Sequence, residues 1–209
     1  MKIDLPLDRL PNVDKKMVLK YIHKVSWIET IVYYIVDWRT RKQIKIFNWL
    51  KDNLELPGDL LIKSQHIAKC KTNNLKIKAI LRFVNKYINY MTDQLRWDVK
   101  EKWQTPFETW NLKTGDCEDG AILIIAMALF YGIPDYQIYL VAGEVMGGGH
   151  AYCVFVSDKD TLEYPIDWCY WYKKSYDMKI PYIDRSEYYD GKKEWFRVNQ
   201  KGVYKLWKS

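Results

Sequence analysis

The chain has 209 residues, a length that suits one domain with elaborations or one domain plus a small annex. A hydrophobic share of 48%, with ten Trp and seventeen Tyr, excludes a disordered chain, which lacks the apolar surface needed to offset chain entropy. The net charge of +7 is uneven: residues 1–102 carry 21 Lys+Arg against 11 Asp+Glu, residues 103–170 carry 2 against 10, and residues 171–209 carry 10 against 5.

The basic flanks suggest a protein partner or a polyanion at the N-terminal region. No zinc finger, P-loop or RNP-type run supports nucleic acid, and charge runs are more often solvated faces. The opening MKIDLPLDRLPNVDKK lacks a secretory leader's apolar core, and no later run reaches the ~18–20 apolar residues of a membrane span. The expectation is therefore a cytoplasmic or virion-associated protein without a membrane span. Cysteines at 70, 117, 153 and 169 match neither a CxxC pair nor a zinc-ribbon spacing, so they read as free thiols.

From Asp14, apolar residues at Val18, Tyr21, Ile22, Val25, Ile28, Val32 and Ile35 recur at helical spacing. A basic connector, Arg39 to Lys45, leads to a short apolar pattern (Ile46, Phe47, Trp49, Leu50) that ends near the turn LPGD. Asn73-Asn74 reads as the cap of a further helix whose inner face carries Ile77, Ile80, Leu81, Val84, Ile88 and Met91. Pro106 marks a break in an irregular stretch. The run Ala121 to Tyr131 is apolar nearly all round, which predicts a central helix stopped by Gly132 and Pro134. Strands are predicted over Gln137 to Val145, His150 to Val156 and Thr161 to Asp167, the first two joined by MGGG as a hairpin and the last an edge strand or a strand end because of Pro165. Glu194 to Leu206 predicts a terminal hairpin. The fold class is α+β: a buried helix followed by an antiparallel sheet.

The central helix is preceded by TGDCEDG, residues 114–120, which sets Cys117 in its first turn. Unpaired N–H groups and the helix dipole there favour a thiolate, whereas Asp116, Glu118 and Asp119 oppose one. A histidine would tip that balance. His23 and His66 read as ordinary residues, but His150 follows three glycines and opens a strand, with Tyr152 and Val154 on its face. Asp167, at the end of an apolar strand, suits the carboxylate that would orient that imidazole. Cys153 points to the other face of the strand and reads as a small core residue. Cys70 reads as structural or surface, and Cys169 sits close enough to allow a disulfide with Cys117.

WQTPFE (Trp103 to Glu108), then GDCED with a helix behind it, then GGGHAY, then a strand ending in Asp, resembles the transglutaminase-like cysteine proteinase superfamily, most closely its bacterial branch. The resemblance covers roughly residues 75–170 and implies a papain-like catalytic domain over 71–209, with residues 1–70 as a helical annex. It implies Cys117 as nucleophile, His150 as base and Asp167 as orienter, acting on a peptide or glutamine amide in a protein or peptide substrate. The oxyanion would be met by the Cys117 N–H and a side chain in the matching segment, Gln104 or Trp103, although Trp110 and Asn111 lie nearer in sequence. Calcium, bound by some bacterial relatives beside the cysteine, would fall to Asp116 and Glu118. Without an ion, Asp116 reads as the helix cap and Glu118 and Asp119 as charges that complement the helix dipole. Three functions stay open: a cysteine protease, an acyltransferase using the same acyl-thioester, and a silent fold serving as an assembly module, for example in a phage particle. The acidic middle favours Lys- or Arg-bearing substrates.

Overall fold

The structure is a computed structural model that describes residues 38–170, 189, 193–200 and 202–203. The amphipathic pattern from Asp14 to Ile35 lies outside the described residues. In chain order come α1 (Trp38–Asp52), α2 (Gly58–Ser64), a 3-10 turn, α3 (Asn73–Tyr87), β1 (Asn89–Tyr90), α4 (Asp93–Trp97), α5 (Pro106–Leu112), β2 (Thr114–Gly115) and α6 (Cys117–Phe130). The sheet follows, with β3 (Ile138–Val145), β4 (Gly148–Val156), β5 (Glu163–Ile166), β6 (Glu194–Asn199) and β7 (Gly202–Val203). Its strands are antiparallel in the order β5-β4-β3-β6-β7, and β1 pairs with β2 in parallel.

Helix α6 is the pivot. Every residue from Glu118 to Ala128 is buried, because β3 and β4 cover one side and α3 and α5 the other. It ends in a Schellman arrangement: Gly132, at φ 79°, donates to Leu129 O at 3.0 Å, and Ile133 donates to Ala128 O at 2.9 Å. Ile46 and Leu50 of α1, Leu60 of α2 and Ile67 share one core with α6. No helix among the described residues is long and apolar enough to cross a membrane.

Local details depart from the sequence expectations in several places; α3, for one, ends at Tyr87, short of Ile88 and Met91. The basic run Arg39 to Lys45 is no connector but the first half of α1, because a polar helix half carries no apolar periodicity to betray it. Thr72, not Asn73 or Asn74, caps α3, accepting from Leu75 N at 3.2 Å. The asparagines instead bridge to the end of β4, Asn73 N–H donating to Asp158 Oδ2 (2.9 Å) and Asn74 Nδ2 to Ser157 Oγ (3.0 Å). Pro106 starts a helix: it sits in the first turn of α5 behind a capping box in which Glu108 N–H donates to Thr105 Oγ1 (3.2 Å) and Thr105 N–H to Glu108 Oε2 (2.8 Å). Pro165 does lie on an edge strand, β5. The β3–β4 turn is made by Met146 and Gly147, both at positive φ (54° and 81°) as a type I′ turn requires, so Gly148 and Gly149 already belong to β4.

Candidate active site

The start of α6, the start of β4 and the end of β5 converge. Asp116 is the N-cap residue of α6 and Cys117 the first helical residue. Their backbone is set by Asp119, fully buried, whose Oδ2 folds back to accept from Asp116 N–H at 3.2 Å. A Cβ on Gly115 would lie 2.6 Å from Asp119 Cβ, so glycine is what lets that carboxylate turn inward. Asp119 also accepts from Gln104 twice, from its backbone N–H (2.7 Å) and from Nε2 (2.6 Å). A residue read from sequence as a dipole-complementing charge thus anchors the segment 103–105 to the helix start.

Gly120 answers a second close approach. A Cβ there would come within 2.7 Å of Trp168 Cδ1, and nearer still to Nε1 and Cε2. The indole lies across the first turn of α6, where Trp168 Nε1 donates to Cys117 O at 3.3 Å. This ties the cysteine to the residue that follows Asp167.

His150, 5% exposed, and Asp167, fully buried, form a close pair with Nε2 to Oδ2 at 2.7 Å. Asp167 accepts further from Tyr189 OH at Oδ2 (2.9 Å) and from Cys169 N–H at Oδ1 (2.8 Å). The imidazole packs against the rings of Tyr170 (centroids 4.8 Å) and Tyr152 (6.1 Å). Tyr189, far along the chain and outside every predicted motif, left no signal in the sequence.

Cys117 stands in another group, with Asp116 and Glu118, and its thiol donates to Glu118 Oε2 at 3.0 Å. Burial raises the thiol's pKa first, followed by the charge and hydrogen bond of Glu118, while a backbone hydrogen bond from Ala151, the residue after His150, opposes the rise. Burial, then the charge of Glu118, pushes Asp116 up to about 8. Burial also raises Glu118, and it raises Asp119 to about 7 against the Gln104 backbone hydrogen bond. The sulfur grouped with His150 and Asp167 is that of Cys169, with ligand atoms within 4.8 Å of one another. Cys153 is fully buried and donates to Ala121 O at 3.3 Å.

Of the oxyanion candidates, Gln104 is 1% exposed with Nε2 on Asp119, and Trp103 Nε1 donates to Glu101 Oε1 at 2.9 Å. Trp110 Nε1 is turned away to Asp59 Oδ2 at 2.7 Å. His66 is exposed, with its ring 6.4 Å from that of Phe83.

A central helix with cysteine at its N-terminus, packed on an antiparallel sheet that carries a histidine–aspartate pair, is the papain-like, transglutaminase-like fold. The family model of the bacterial transglutaminase-like cysteine proteinases matches residues 61–202, more than half of the chain, and the chain belongs to that family. It is thus a member of a cysteine peptidase family whose substrates are proteins. Among solved structures it is similar to Legionella pneumophila LapG, at 18% identity over 93% of this chain and 88% of that one, with a TM-score of 0.52. The calcium-bound form of LapG matches at 18% identity over 92% of this chain and 87% of that one, TM-score 0.49. No curated protein matches.

Proposed function

We propose that the protein cleaves peptide bonds through an acyl-thioester on Cys117, with His150 as general base and Asp167 as its orienter. The observation that carries this reading is the buried His150–Asp167 pair at 2.7 Å, one residue on each side from contacts with Cys117: Ala151 N–H toward its sulfur and Trp168 Nε1 to its carbonyl. Asp167 occupies Nε2, so Nδ1 is the nitrogen left to exchange a proton with sulfur. The sulfur attacks the scissile carbonyl and its proton passes to His150. That proton then leaves with the amine, and water, deprotonated by the same imidazole, releases the acyl group. The Cys117 N–H, at the helix N-terminus, and Gln104 Nε2 would receive the oxyanion, since an amide nitrogen holds two hydrogens and Asp119 engages one.

The Asp116–Glu118 pair fits a hard divalent cation such as calcium. Asp116 Oδ1 is buried without a hydrogen-bond partner, and both carboxyls are held out of water side by side, an arrangement that oxygen-binding cations relieve. Bound there, calcium would supply positive charge that draws Glu118 off the thiol and lowers the cost of the thiolate. The acidic environment of this segment also favours cationic substrate residues, an attraction that weakens with salt.

Alkylation by iodoacetamide with calcium present tests the reading. Fast labelling should vanish in Cys117→Ala and slow sharply in His150→Ala, with the fold of both retained. If Cys117 reacts no faster than a free thiol, the fold is a silent module and the proposal fails.

A further inference from the structure

Two groups of metal-ligating side chains flank the start of α6, and their donor chemistry differs. Asp116, Cys117 and Glu118 are dominated by carboxylate oxygen; His150, Asp167 and Cys169 offer one nitrogen, one oxygen and one sulfur. The second set suits a borderline-soft tetrahedral cation and not a hard one. We propose that His150, Asp167 and Cys169 form a Zn2+ site that switches the enzyme off by occupying its imidazole. The inhibitory part rests on the reading of His150 as the base; the binding part does not.

The geometry needs little adjustment. Zinc bond lengths to nitrogen, oxygen and sulfur of about 2.0–2.3 Å put tetrahedral ligands roughly 3.3–3.6 Å apart. The three ligand atoms already lie within 4.8 Å of one another, and His150 Nε2 and Asp167 Oδ2, at 2.7 Å, would open by about half an ångström. His150 and Asp167 are rigidly held, one ring against Tyr170 and Tyr152, the other carboxylate by Tyr189 OH and the Cys169 N–H. Such outer contacts orient metal ligands in advance. Cys169 is only half-buried and lies just past the end of β5, so its side chain is the one placed to move. Water would fill the fourth position.

The exchange balances without any electron transfer. Bonds form from zinc to Nε2, to a carboxylate oxygen and to sulfur. The Cys169 thiol proton leaves to solvent, and the imidazole proton on Nε2 moves to Nδ1. With Nδ1 carrying that proton, His150 can no longer accept one from Cys117, so inhibition follows from the tautomer as well as from obstruction.

Co2+ is the spectroscopic probe, added to the full-length wild type, Cys117→Ala and Cys169→Ser proteins, with Zn2+ then used in competition. Wild type and Cys117→Ala should both show the near-ultraviolet charge-transfer band of a thiolate–cobalt bond, bleached by Zn2+. Cys169→Ser should lose the band and bind Zn2+ about tenfold or more weakly. In peptidase assays, Zn2+ should inhibit wild type, and the inhibiting concentration should rise by a similar factor in Cys169→Ser, each measured against its own zinc-free rate. A band lost in Cys117→Ala but kept in Cys169→Ser would place the metal at Asp116–Cys117–Glu118 and overturn the proposal. A band kept in both variants, or absent from wild type, would overturn it too. Because cobalt binding is read without turnover, an inactive wild type would refute the proposed peptidase activity while leaving this site decided on its own.

Discussion

Replacing Gly120 by alanine should damage the fold and the site together, by an amount the structure sets. The new Cβ would lie 2.7 Å from Trp168 Cδ1 and closer to Nε1 and Cε2, where ordinary contact begins near 3.4 Å. The indole is 4% exposed and its neighbour Asp167 is fixed to His150, so the ring has little room to retreat. Overpacking of this kind costs about 1–3 kcal/mol, and displacing the ring also breaks the Trp168 Nε1 to Cys117 O hydrogen bond, worth about 1 kcal/mol net. A total of roughly 2–4 kcal/mol lowers the melting temperature of a chain this size by about 5–15 °C. Thermal and urea unfolding measure it, and the double variant Gly120→Ala/Trp168→Leu isolates the cause. Since the three atoms nearest the methyl all belong to the ring, the two changes should be strongly non-additive, the double variant more stable than the sum of the singles predicts. A Gly120→Ala protein within about 0.5 kcal/mol of wild type, or strict additivity, refutes the claim that glycine is there to admit the indole.

Tyr189→Phe removes one donor from the buried Asp167 carboxylate, which should cost about 1–3 kcal/mol and lower kcat with little change in KM, as steady-state kinetics would show; a rise in KM alone would argue against an orienting role. Chelation should lower the melting temperature, and Glu118→Gln should abolish that response while making the chelated protein more stable than chelated wild type, because a like charge beside Asp116 is gone; differential scanning calorimetry with and without chelator checks both. In the chelated protein the Asp116 carboxyl titrates at about 8 against an ordinary value near 4, so the fold binds more protons than the unfolded chain between those limits. The stabilisation this gives is complete below the lower value, declines between the two and is gone once pH has risen through the upper one, so the melting temperature should fall between about pH 4 and 8, and a flat profile there would refute the shift.

Much of the architecture could be read because the signals were local and periodic. The apolar run from Ala121, with no polar face, had to be enclosed, and the two-residue period along β4 told which residues share a face, Ala151, Cys153 and Phe155 on one and Tyr152 and Val154 on the other, both of them buried. Burial also betrayed Asp167, since a carboxylate beside Ile166 and Trp168 has no place in an apolar strand end without a partner, and the partner turned out to be His150. What stayed hidden was decided by contacts between distant segments. Asp119 looks like any helix-start acid until Gln104 closes on it from fifteen residues away. Tyr189 reaches Asp167 from a stretch without periodicity, and Cys169 looks bland until the fold sets its sulfur beside the histidine–aspartate pair. The two blind spots have one physical root. A polar group's role depends on who satisfies it once it is buried, whereas an apolar group's role depends only on its being buried, and sequence pattern reports the second far better than the first. For this chain that distinction falls on the site itself: the scaffold of α6 and the sheet is apolar and legible, but the carboxylates, thiols and hydroxyls that decide whether Cys117 is protonated acquire meaning only in three dimensions.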